Sequence, residues 1–376
     1  MKKRSILSML VVIALIITAV LPALAEDVIK IGGIGVLSGN NGKYGLAVRE
    51  GVDLYVKQVN ERGGVLGKQV QILWEDTQGN ASEAINAYLK LSDMDVVGFI
   101  GGVLSGESKA LAQVTAEDGM PQISPSATDY EVTTDRPNVF RTCFLDPFQA
   151  KSLAEYMAAE DIKNVAVLYD NATDYSKGLY EAFKAKCEEL GVEILATEAA
   201  AYNDTDYKTQ LTTIQNTKPE AVFLPYYGSD AALILAQAKE LGMDVKFYGA
   251  DGISDIAELV SDKSLLTNVV YTDHFSTEAQ SDIAVNFVKA FEAEYGKPPT
   301  ISFSATGYDA AVVLLSAIEA AGSTDKQAIV DAIKATNLTA VSGNITFDDH
   351  NDPIKSIFFQ TFAQNGTKLF LKQVDP

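Results

Sequence analysis

The stretch that decides the fold is Val28 to Arg62, VIKIGGIGVLSGNNGKYGLAVREGVDLYVKQVNER. Val28 to Val36 is made of Ile, Val and Gly except for Lys30. A short polar segment of Gly, Asn and Ser follows, and Tyr44 to Arg62 then carries a helical pattern. A largely apolar strand that turns through glycine into a helix is the first half of a βαβ unit. Working outward, the same rhythm recurs at Val70–Trp74 with Ser82–Leu91, and at Val96–Ile100 with Ser108–Glu117. It restarts after Pro147 with Val165–Tyr169, Tyr175–Leu190, Val192–Ala196, Tyr207–Gln215, Ala221–Pro225 and Asp230–Leu241. Three helical patterns (Ser281–Tyr295, Ser302–Ala321, Asp325–Ala335) and two strand-like runs around Asn365-Gly366 close the chain. Strand–helix alternation predicts parallel sheets, and the restart predicts two of them: an α/β protein with two doubly wound parallel-sheet lobes. About 350 residues also exceed what one hydrophobic core usually serves.

The pentapeptide GVLSG occurs twice, at Gly35–Gly39 and Gly102–Gly106, each time at the end of an apolar run. In a doubly wound sheet the carboxyl ends of the strands face the ligand crevice, where helix N-termini favour an anion. Each copy is therefore read as a polar rim piece. The flanking residues do not repeat, so the two are convergent turn chemistry rather than a duplicated unit. A third rim piece is Pro121–Thr128, PQISPSAT, whose hydroxyls are too dense for a core strand and predict a loop.

Residues 1–25 have a basic start (Lys2, Lys3, Arg4), an apolar run from Ser5 to Leu21 and Ala23-Leu24-Ala25 before Glu26, the form of a secretory leader. Without those three basic residues 27 Lys and Arg stand against 50 acids, a formal charge of 27 − 50 = −23. Nucleic acid would be repelled. Cys143 falls in the strand-like segment Asn138–Phe144 and Cys187 in a helical one. Export permits a disulfide, while two free thiols are equally compatible with the spacing.

Enzyme chemistry finds little support. Gly33-Ile-Gly35-Val-Leu-Ser38 approaches a dinucleotide fingerprint, but the acids that follow, Glu75-Asp76, come about forty residues on instead of about twenty. The two histidines, His274 and His350, stand beside no nucleophile motif, and no metal-ligand spacing occurs. Neither a catalytic residue nor a cofactor is expected, which leaves a binding protein.

Taken in order, IKIGGIGVLSGNNGKYG, VNERGGVLGKQVQILWEDTQGN, VVGFIGGVLSGESKALAQV, MPQISPSATDYEV, VFRTCFLDPFQ, FYGADGISD and GNITFDDHNDPI resemble the periplasmic solute-binding proteins of the branched-chain amino acid type, which serve ABC transporters. The resemblance implies two lobes joined by three crossovers, with lobe 1 at 26–145 and 276–349 and lobe 2 at 146–275 and 350–376. It also implies a carboxylate site at Ser105, Ser126, Ala127 and Thr128, with Tyr44 over the cleft. Tyr175, Tyr227 and Asp251 match cleft positions of the second lobe, Asp251 as partner of an α-ammonium group. Val103, Leu104, Tyr44 and Phe303 match the side-chain pocket and imply a Leu-, Ile- or Val-type ligand. The expected partners are an amino acid and a membrane permease, for a periplasmic monomer. A sensory module for a membrane receptor, or a binder of an aromatic acid or amide, stands as the alternative.

Overall fold

The computed structural model describes residues 28–200 and 204–376. The expected leader lies outside them. Strand β1 (Ile29–Gly35) is apolar except for Lys30 because it is interior. It pairs in parallel with β2 (Val70–Asp76) on one side and β3 (Phe99–Gly101) on the other, and β4 (Gln122–Ser124) and β5 (Val139–Arg141) extend the sheet in the order β2-β1-β3-β4-β5. Helix α1 (Gly42–Glu61) follows β1, α2 (Ala81–Ser92) follows β2 and α3 (Ser105–Glu117) follows β3. Ile34 and Phe99 pack with Ala84, Tyr88 and Leu111 of α2 and α3. Ile31, Ile100 and Ile123 pack instead with Val48 and Val52 of α1 and with Leu314, which lies on a helix arriving from much later in the chain.

After β5 the chain leaves this sheet. Helices α4 (Asp146–Ala159), α5 (Asp174–Leu190), α6 (Lys208–Thr217), α7 (Gly228–Glu240) and the single turn α8 (Ile256–Leu259) alternate with β6 (Asn164–Asp170), β7 (Glu193–Ala200), β8 (Ala221–Leu224), β9 (Lys246–Gly249) and β10 (Val269–Asp273). The chain then returns: α9 (Asp282–Tyr295), α10 (Phe303–Ala321) and α11 (Lys326–Lys334) come back, and α10 lies along α1. A Cβ on Gly51 would sit 1.9 Å from Ser304 O, so only glycine lets the two helices approach this closely. After the hairpin β11 (Asn337–Ala340) and β12 (Gly343–Thr346) the chain crosses a third time to β13 (Ile357–Phe362) and β14 (Lys368–Val374). The second sheet runs β14-β13-β10-β9-β8-β6-β7, parallel except where β13 meets its two neighbours.

The crossings are cross-linked by polar groups. Arg141, fully buried, pairs with Asp352 of the third crossing at 2.6 Å, and Asn351 Nδ2 donates to the carbonyls of Arg136 and Val139. Among the described residues no helix is long and apolar enough to cross a membrane.

Three expectations change. The loop predicted over Pro121–Thr128 begins as a core strand, β4. Its polar side chains are tolerated because Gln122 Nε2 donates to Gly101 O at 2.8 Å and Ser124 Oγ to Gly102 O at 2.9 Å. Cys143 lies two residues beyond β5, so it is not a strand residue, and both cysteines are free and buried. Finally, α4, β9, β10 and the β11–β12 hairpin appear where no element was predicted.

Candidate ligand-binding cleft

In both sheets the strand order reverses next to the first strand, between β1 and β3 in one and between β6 and β8 in the other. Such switch points are where an open α/β sheet leaves a crevice. The two GVLSG copies end β1 and β3, and Tyr175 and Tyr227 follow β6 and β8, so the sites of the two sheets meet. One hydrophobic cluster runs through Tyr44, Tyr175, Tyr227 and Phe303 from one half to the other. Tyr175 stacks on Tyr227 with centroids 4.8 Å apart, and Tyr44 touches Tyr227 at 5.7 Å and Phe303 at 5.5 Å.

The two GVLSG copies do different work. Ser38 of the first donates to Asp76 Oδ2 at 2.6 Å, and Leu37 N donates to Asp76 Oδ1 at 2.8 Å, so that turn is held by β2. In the second, Ser105 opens α3, and Glu107 Oε1 accepts from Val103 N (2.8 Å) and Leu104 N (3.1 Å). The copies touch: a Cβ on Gly35 would lie 2.6 Å from Val103 Cγ2, so Val103 rests on β1, while Leu104 lines a cavity with Tyr175 and Tyr227. Ser126 Oγ donates to Val103 O at 2.8 Å and joins the third rim piece to this turn. Ala127 O accepts from Arg141 Nη1 at 2.7 Å. Thr128 Oγ1, buried, faces the Asp146 carboxyl without closing a regular hydrogen bond.

Asp251 is already well partnered. Its Oδ1 accepts from Gln149 Nε2 (2.9 Å) and Tyr175 OH (2.9 Å), and its Oδ2 lies 3.1 Å from His274 Nε2. Asp146, the first residue of α4, is the contrast: it is 1% exposed and neither carboxylate oxygen has a hydrogen-bond partner. Burial, with the charge of Asp251 added, holds its carboxyl well above the usual carboxylate range. Arg141 is the cation whose field reaches it, but that guanidinium is committed to Asp352, Ala127 O and Asp129 O. The cleft thus holds two buried acids and too little positive charge, which is the electrostatic shape of a cation site.

A family model described as periplasmic binding protein matches residues 28–367. The chain belongs to the periplasmic binding protein family. A leucine-, isoleucine-, valine-, threonine- and alanine-binding protein of Pseudomonas aeruginosa is 27% identical over 90% of this chain and 91% of its own length. Among solved structures, the leucine-binding protein LivK of Thermotoga maritima is 32% identical with a TM-score of 0.86, covering 93% of this chain and 99% of its own. LivJ of Streptococcus pneumoniae, solved with isoleucine, is 30% identical with a TM-score of 0.87, covering 93% and 100%.

In this periplasmic binding protein the residues that sequence reasoning missed are Asp146, Gln149 and His274. Asp146 sits in LDPFQ, where an Asp-Pro pair reads as an ordinary helix start. Gln149 grips Asp251 from both ends, its Oε1 accepting from Asp251 N at 2.8 Å and from Thr272 Oγ1 at 2.6 Å. His274 lies one residue beyond β10, and its position at a strand end was the available signal.

Proposed function

We propose that the protein captures an aliphatic α-amino acid in this cleft and hands it to the membrane permease of an ABC importer. The lobes of that clamp are 26–145 with 276–349 and 146–275 with 350–376, working in the periplasm after removal of residues 1–25. Ser105 at the α3 N-terminus and the Ser126–Thr128 backbone take the carboxylate. Thr128, Asp146 and Asp251 take the ammonium, and Tyr44, Leu104, Tyr227 and Phe303 wrap the side chain. The observation that carries this reading is the bare, buried Asp146 carboxylate beside Thr128, with the α3 N-terminus at Ser105 as the opposite pole of charge. One end of the site asks for a cation and the other favours an anion.

The test is a thermal-shift titration of protein refolded free of ligand, with leucine, 4-methylpentanoate and 3-methylbutylamine. Leucine at 100 times its dissociation constant should stabilise the protein by about 2.7 kcal/mol, with the two single-charge analogues giving little. An equal response to 4-methylpentanoate would remove the ammonium site and sink the proposal.

A further inference from the structure

The closed cleft leads into a cavity of about 250 Å³, several times the roughly 30 Å³ that one water occupies in the liquid. Leu104, Tyr175 and Tyr227, which also belong to the amino-acid site, form one side of it, so the space continues that site. Asn41 also lines the cavity. It is 5% exposed, and among the described residues its carboxamide finds no hydrogen-bond partner, not even as cap of the helix it precedes. With no partner among them, that carboxamide can both donate to and accept from a guest in the cavity.

The charges around the cavity restrict that guest. Asp174 and Glu107 also line it. Glu107 is engaged by Val103 N, Leu104 N and Thr77 Oγ1, and Asp174 by Lys109 at 3.0 Å and Lys177 at 3.3 Å. Lys109 is also shared with Asp129 at 3.6 Å and Glu131 at 2.7 Å. An anionic tail would meet two carboxylates and no uncommitted cation. A cationic tail would have to compete with lysines already in place. A neutral group that both donates and accepts matches Asn41, which can do the same.

We infer that this cavity is a subsite for the far end of the ligand's side chain, and that the cleft admits α-amino acids ending in a carboxamide or hydroxyl as well as purely aliphatic ones. This rests on the amino-acid reading above. The stem of such a side chain packs on Leu104 and Tyr227, and its terminus exchanges hydrogen bonds with Asn41.

Isothermal titration of the ligand-free protein with leucine, glutamine and glutamate tests it, on the wild type, Asn41→Leu and Asn41→Ala, the last in case the larger side chain disturbs folding. Glutamine should bind at least about tenfold more tightly than glutamate, and the ratio of glutamine to leucine affinity should fall about tenfold in either variant. An unchanged ratio, or leucine binding with no glutamine binding, would overturn the subsite while leaving the amino-acid reading intact. Failure of all three to bind would overturn that reading and the subsite with it.

Discussion

A carboxylate sealed from water with neither oxygen hydrogen-bonded costs several kcal/mol unless it takes up a proton or meets a cation. Asp146 is in that position, and its carboxyl is raised by burial first and Asp251 second. The sign follows directly. A raised acid contributes stability that is complete below its unfolded value, about pH 4, and is lost as the pH rises through the elevated one. Asp146→Asn should therefore raise the melting temperature of the ligand-free protein, by a margin that widens upward from about pH 4. The same change should weaken leucine binding at least about tenfold, since a charge-assisted hydrogen bond contributes about 1.5–3 kcal/mol. Thermal unfolding across pH and isothermal titration read the two effects separately. A stabilised variant with unchanged leucine affinity would make Asp146 structural. Asp251→Asn makes a poorer probe, because it also disturbs Tyr175, Gln149 and His274.

Among the elements, α1 spans the cleft, because Tyr44 in its first turn reaches the loops after β8 and β9. The Tyr44 hydroxyl donates to Gly252 O (2.7 Å) or Asp255 Oδ1 (3.0 Å) and accepts from Gly228 N at 2.9 Å. Tyr44→Phe keeps the ring contacts with Tyr227 and Phe303 but leaves those groups bare in the closed form only. A penalty of roughly 1–3 kcal/mol on closure should weaken leucine binding about tenfold and raise the ligand-free radius of gyration in small-angle scattering. Unchanged values of both would take closure away from α1. That α1 and its neighbours exist was legible, since β1, β6 and β8 are short apolar runs that turn into helices at GVLSG, DNATDY and PYYGSD. By contrast β4 was hidden, because Gln122 and Ser124 look like loop chemistry until their bonds to Gly101 and Gly102 are seen. Helix α4 was hidden for another reason: it buries Asp146, Gln149 and Ser152 as well as Leu153 and Met157, which blurs the contrast between a wet and a dry face. The glycine- and serine-bearing turns that end β1 and β3 could be read from the sequence. The bare acid could not, because what marks Asp146 is the lack of partners, and partners come from elements far away in the chain.

At the scale of the whole molecule, closing the cleft should be linked to protons. Asp255 lies with the second sheet and is buried against Tyr44 of the first, and burial pushes its carboxyl up to about 6. The charged groups facing it are Lys43 from the start of α1 and Lys368 from β14, both lowering that value, and Lys43 also bridges to Glu258 at 3.1 Å. In an open cleft, with Tyr44 withdrawn and water admitted, Asp255 should return toward the ordinary value of about 3.9. The closed form then binds the proton more tightly, and its advantage is complete below about pH 4 and lost as the pH rises through about 6. Asp230, which burial pushes up to about 6, titrates over the same range, and a chain this acidic gains compaction from any added proton. The comparison that isolates Asp255 is therefore between the wild type and Asp255→Asn, which is neutral at every pH. From pH 7.5 to pH 5 the leucine affinity of the wild type relative to the variant should rise about tenfold, the amount given by values of about 3.9 and 6. Isothermal titration at both pH values measures it. A ratio that stays flat would mean that Asp255 is buried to the same extent in open and closed forms, so that Tyr44 swings away without admitting water to it.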